Sequence, residues 1–143
     1  MVVGSSPTPR IMNMLTWREK LGRPDCPYLI RWVLNLGLFS VRLHHWLGSD
    51  DPRAHHDHPW WYLTLVLWGG YVDSFPGGSD KLGMGSMRFR RSSWIHTVKV
   101  NPGGCWTLML TGPEVRDWGF WVGGKFVRRN KYFFRHGVHE CHQ

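Results

Sequence analysis

Apolar and polar positions alternate with a short period along most of the chain. The stretch "YLIRWVLNLGLFSVRLHHWL" mixes β-branched, aromatic and Leu residues around a break at Gly37, and it predicts two strands, 28–34 and 39–46. The same texture returns in "WYLTLVLWGGYVDSF", "SMRFRRSSWIHTVKV", "CWTLMLTG", "DWGFWV" and "KFVRRNKYFF", each bounded by Gly, Pro, Ser, Asn or Asp. Short strands at regular spacing with turn residues between them predict an all-β antiparallel sandwich or barrel. Two segments break the pattern. The Ser/Pro-rich first ten residues read as a loose tail, followed by a short amphipathic helix in "IMNMLTWREKLG" that ends near Gly22. "FPGGSDKLGMGS", with Gly77, Gly78, Gly83 and Gly85, reads as a long flexible connection.

Length and composition narrow this picture. The 143 residues suit one domain, and a chain that is 42% hydrophobic with ten Trp, seven Phe and four Tyr has ample apolar area for a packed globule. The expected division is an N-terminal extension over 1–26, a barrel over 27–127 and a basic, His-containing tail over 128–143. Lys and Arg exceed Asp and Glu, 18 to 10, and the densest basic run is Lys125, Arg128, Arg129, Lys131 and Arg135. This run reads first as a solvated end, with nucleic acid as the competing partner. Cys26, Cys105 and Cys141 show no C-x-x-C spacing, which argues against a disulfide framework or zinc ribbon and fits a reducing, cytoplasmic setting. No leader pattern and no apolar run of about 18 residues is present, so no membrane partner is expected.

The candidate chemistry lies in "AHHDHPWW". Alternate strand residues share a face, so His56 and His58 project side by side. A third ligand is offered by "SSWIHTVKV", where Lys99 belongs in solvent and His96, on the other face, points inward. Three neutral imidazoles suit iron, zinc, manganese, nickel or copper and leave coordination positions open. His44 is a further candidate ligand, with Arg42 on its face and His45 on the opposite one. A second registry remains open: His55 and Asp57 with His96 would form a facial triad of two histidines and one carboxylate. Against it, the first Arg after His96 is Arg116, too far to hold an oxoacid co-substrate in the usual place.

A histidine pair spaced H-x-H, an apolar strand, Gly69 or Gly70, and later one inward histidine resembles the cupin superfamily. His56 and His58 fit its first motif, while its glutamate place falls on Tyr62 or Leu63; the second motif is reduced to Ser93, His96 and Asn101. "LHHWLGSDDPRAHHDHPWWYLTLVLWGGY" with "WTLMLTGP" and "WGFWV" is similar to small single-domain cupin-like proteins of phage and bacterial genomes, and the likeness covers about residues 27 to 127. It implies a double-stranded β-helix, or jelly-roll, barrel with a metal near one end. It implies no particular substrate; a phage-encoded relative of this kind would sit in the virion rather than in the cytoplasm expected from the cysteines. Three-histidine cupins include thiol dioxygenases, in which an Arg or Tyr receives the substrate carboxylate; Arg42, Tyr62 and Arg90 are of that type.

Each feature has a plainer reading. His136, His139 and His142 in the tail read as structural, with Cys141 at most an adventitious ligand. Trp60 could wall a pocket or fill the core, and "GSDDP" with Asp50 and Asp51 reads as a turn, leaving Asp57 as the carboxylate best placed to orient an imidazole. The reading is a metal-binding barrel acting on a small molecule as an oxygenase or isomerase. Its alternatives are a non-catalytic assembly protein built on the same scaffold, such as a phage particle component, and a module binding a small ligand or nucleic acid. A homodimer through edge strands is the expected oligomer.

Overall fold

The computed structural model describes residues 15–50 and 52–137, with side chains from residue 18 onward. Two antiparallel sheets form. The larger joins β1 (Leu15–Arg23), β2 (Cys26–Asn35), β3 (Ser40–Trp46), β8 (Thr97–Thr111), β5 (Tyr62–Phe75) and β6 (Gly78–Gly83) in that spatial order, with β7 (Met87–Arg90) also paired to β5. The smaller is β10 (Lys125–Arg128), β9 (Gly119–Val122) and β4 (His55–His56). α1 (Arg129–His136) follows β10 directly.

Two long strands hold the barrel together. β5 pairs with β8 first through Tyr62–Thr111 to Gly69–Cys105 and then, beyond a register shift, through Tyr71–Val100 to Ser74–Thr97. The bend needs glycine at two places. Gly69 has φ +71°, and a Cβ there would lie 2.3 Å from the Gly104 carbonyl oxygen; Gly104 itself has φ +88°. "SMRFRRSSWIHTVKV" and "CWTLMLTG" are therefore not two strands but β7 and one continuous β8, with Pro102 in the segment where β5 makes no pairs.

Three other expectations are corrected. The described part of the predicted N-terminal helix is β1, because Pro24–Asp25 closes a tight turn and "TWREKLG" alternates as a strand against β2, with Glu19 accepting from Arg31 at 2.7 Å. The Gly-rich connection is a hairpin: Pro76–Gly77 turns β5 into β6, and Leu82, 2% exposed, enters the core. The last predicted strand ends at Arg128, after which the chain is helical. Tyr132 packs there on Phe120 with ring centroids 3.9 Å apart, and Gly137 caps the helix by donating to the Phe133 carbonyl.

Among the described residues the buried apolar side chains fall into small groups rather than one mass. Val66, Tyr71, Leu82, Val98 and Cys105 form one, Ala54, Phe120 and Tyr132 a second, and Trp60, Tyr62 and Met109 a third. Along β5 before the bend at Gly69 the buried positions are Tyr62, Thr64 and Val66, whereas Leu63, Leu65 and Leu67 face outward. On β3 they are Ser40 and His44. The inner face of the larger sheet is thus rich in polar groups and its outer face in leucine.

Candidate metal centre

Backbone pairing brings the histidines together. His56 and His96 form an isolated antiparallel bridge, each amide donating to the other's carbonyl at 2.9 and 3.0 Å, so their side chains lie on one face. His58 follows two residues on and is pinned by its amide donating to Ser92 at 3.2 Å. One ring nitrogen from each of His56, His58 and His96 falls within 4.8 Å of the others. His58 Nε2 and His96 Nε2 are 2.9 Å apart.

The electrostatics favour the ligand form. Burial, and then the neighbouring His96, hold the His56 imidazole well below its usual range; burial, then His56 and His96, do the same for His58. Neutral imidazoles are what a metal requires. Two nitrogens bound about 2.1 Å from one ion at a right angle stand about 3.0 Å apart, close to the His58–His96 separation, so the donor set fits a transition metal.

A carboxylate orients one of the three rings, and it was missed in the sequence. His96 Nδ1 donates to Asp73 Oδ1 at 2.5 Å, which leaves Nε2 to face the cluster. Asp73 is 2% exposed, and its other oxygen accepts from Arg90, whose guanidinium also bonds Asp80 at 2.7 Å. His56 Nδ1 lies 3.6 Å from Asp50 Oδ2, and Asp50 Oδ1 accepts from the Val98 amide. The only sequence signal for Asp73 is an acidic residue in an otherwise apolar strand, and the bend at Gly69 hides which face it occupies.

Asp57 lies elsewhere. It is 0% exposed, on the opposite side of its strand from His56 and His58, and it accepts from the Gly119 amide, from Trp121 Nε1 and from Arg116 Nη2 at 2.9, 3.1 and 2.9 Å. The registry of His55 with Asp57 is not the one assembled here; His55 pairs with Trp121 of β9. Tyr62, at the glutamate place of the motif, is at the cluster: its hydroxyl is 3.4 Å from His96 Nε2, and burial with Asp73 nearby pushes its phenol well above the usual range. Trp60 stacks on His58 with centroids 5.0 Å apart, and the Arg42 guanidinium sits over Trp60 at 4.6 Å.

His44 stands outside the group of converging nitrogens. It is 5% exposed, and neither ring nitrogen has a hydrogen-bond partner; burial, aided by Arg31 and Arg42, lowers its pKa to about 3. His45 faces outward, stacked on Trp106 at 4.1 Å. In the tail, His136 closes α1 against Tyr132, while His139, Cys141 and His142 lie outside the described residues, as does Asp51. No described helix is long and apolar enough to cross a membrane.

No protein-family model and no curated protein matches the chain. Solved structures do. One chain of the Rhodobacter sphaeroides complex of SigE with the anti-sigma ChrR superposes with a TM-score of 0.53 at 26% identity, covering 67% of this chain and 48% of that one, so the present chain spans about half its length. The polyketide cyclase RemF of Streptomyces resistomycificus superposes with a TM-score of 0.60 at 19% identity, covering 82% of this chain and 85% of that one. A cupin superfamily protein of Desulfitobacterium hafniense gives 0.52 at 16% identity over 59% of this chain and 77% of its own. With its bent β5 and β8, its two antiparallel sheets and the fold shared with these structures, the chain is an all-β jelly-roll barrel of the cupin type.

Proposed function

We propose that the protein is a metal-dependent enzyme acting on a small anionic molecule inside the barrel, with the metal held by His56, His58 and His96. The observation that carries this reading is the unpartnered polar lining beside the histidines. Both nitrogens of His44 and the hydroxyl of Thr64 are buried without hydrogen bonds. Arg42 bonds only Ser40 Oγ and the face of Trp60, with no described carboxylate at ion-pairing distance, and burial with Arg31 nearby pulls its pKa down to about 10. Orphaned polar groups and an unpaired half-buried cation are costly in a folded interior. They are accounted for if a ligand supplies the acceptors, whereas a barrel serving only as scaffold has no use for them.

A divalent transition metal, when bound, supplies Lewis-acid polarisation or activation of water or dioxygen. The chain's own residues do the rest. Asp73 fixes His96 in the tautomer that offers Nε2, and Arg90 holds Asp73. Tyr62 keeps its proton and can donate it to an oxygen at the cluster, while Arg42 and His44 bind and orient the anionic end of the molecule. Trp60, 8% exposed, shields His58 from water.

Metal analysis with a His58→Ala variant tests the reading. The wild-type chain is expected to bind one iron, zinc, manganese, nickel or copper ion per protomer, and His58→Ala to lose at least about a hundredfold in affinity with its circular dichroism unchanged. Absence of stoichiometric binding to each of these metals, or equal affinity in the variant, overturns it. For the ligand, Arg42→Gln should weaken quenching of tryptophan fluorescence by small carboxylates, and an unchanged titration removes the anion from the proposal.

A further inference from the structure

The outer face of the larger sheet is apolar across five strands. In one cross-strand row Leu34, Val41, Leu110, Leu63 and Phe89 stand side by side. The next row is Trp32, Leu43, Leu108, Leu65 and Met87. No charged side chain interrupts either row, and the Trp32 indole is the one member of the two rows that carries a hydrogen-bonding group. Phe89 is 55% exposed, Met87 54%, Leu34 38% and Leu108 37%, and Leu67 and Trp68 extend the face at 42% and 54%.

We infer that this face is the contact between two copies of the chain, packed sheet against sheet. With roughly 200 Å² for each large apolar side chain, the face offers on the order of 800 Å². A monomer's largest apolar patch is about 300–600 Å², while a standard interface takes about 800 Å² from each partner. Each copy carries a formal charge of +8, so two copies repel through most of their surfaces and meet most easily where charge is absent. An acidic partner would be drawn to basic groups, and none lies in the two rows; Arg88, between Met87 and Phe89, and Arg90, which follows Phe89, turn away to Asp80 and Asp73. Twisted antiparallel sheets pack face to face at about −30°, and a charge-free face is self-complementary under a two-fold axis.

The inference is independent of the metal and is tested on the full chain by sedimentation equilibrium. The wild type is expected to be a dimer at micromolar concentration. Met87→Lys, at a position more than half exposed, and Leu108→Lys, at the centre, should each weaken the dimer at least about a hundredfold while the far-ultraviolet circular dichroism is kept. Phe134→Lys, at the 92% exposed position on α1, should leave it intact. A monomeric wild type overturns the inference, whether residues 1–14 or another protein then cover the face. So does a dimer that survives Met87→Lys and Leu108→Lys, or one broken by Phe134→Lys instead.

Discussion

Asp57→Asn separates structure from ligation at the histidine cluster. The carboxylate is fully buried and accepts from three donors: Oδ1 from the Gly119 amide, Oδ2 from Trp121 Nε1 and from Arg116. An asparagine keeps one oxygen. Whichever way it is turned, its amide group faces at least one buried N–H, and a buried donor left unpaired costs about 1–3 kcal/mol. The lost charge also weakens the Arg116 pair, and since that arginine is 31% exposed we count only about 1 kcal/mol for it. The expected loss is about 3 kcal/mol in urea unfolding, or about 10 °C in melting temperature for a domain of this size.

Metal affinity should survive at temperatures where the variant is folded, because the Asp57 oxygens face β9 and not the rings of His56, His58 and His96. Isothermal titration on the folded variant, beside His58→Ala, distinguishes the two registries. A variant as stable as wild type refutes the accounting of donors. A folded Asp57→Asn that no longer binds metal, while His58→Ala still does, refutes the assignment of ligands and returns the site to His55 and Asp57.

The remaining predictions follow from single contacts. Asp73→Asn should lower metal affinity about 10–100-fold in a chelator competition, because His96 loses the acceptor that fixes its tautomer; unchanged affinity would mean that Asp73 does not position the ring. His44→Leu should stabilise the protein at pH 7 by removing two unpartnered nitrogens, and should flatten its acid profile. The folded pKa of about 3 lies below the unfolded 6.5, so the stability tied to neutral His44 is complete above pH 6.5 and declines as pH falls toward 3, at up to about 1.4 kcal/mol per unit. An equally steep profile in the variant would show that His44 is not buried neutral. Gly69→Ala combines φ +71° with a Cβ 2.3 Å from the Gly104 oxygen and should cost at least about 3 kcal/mol; a wild-type urea midpoint would show that the bend does not depend on that approach.

Strand alternation made most of the elements and half of the site legible. The H-x-H spacing places His56 and His58 on one face by geometry alone, and Lys99 indicates which face of its strand His96 takes. What stayed hidden depends on the bends. Asp73 enters the interior because the chain turns at Gly69, and nothing local marks that change of face. β6 was obscured by glycines that leave Leu82 as its one apolar anchor, and α1 by a strand-like run whose later half is held by Tyr132 against Phe120. Asp57, which sits between the two cluster histidines in sequence, is separated from them by the same alternation that unites them.

The distribution of apolar residues ties the two proposals together. A barrel whose larger sheet places Ser40, Arg42, His44, Thr64 and Thr107 inward gains little from desolvating that face, and the buried clusters behind it are small. Its strongest apolar surface instead points outward, where only another molecule can cover it. The free monomer without metal should therefore be the least stable form, and each binding event should raise stability by mass action, about 2.7 kcal/mol at a free concentration one hundred times the dissociation constant. Melting temperature should rise with metal and, separately, with protein concentration; Met87→Lys should abolish the second dependence and His58→Ala the first. A melting temperature indifferent to protein concentration would mean that the outer face contributes nothing by association, and the stability of the polar barrel would then have to come from within the single chain.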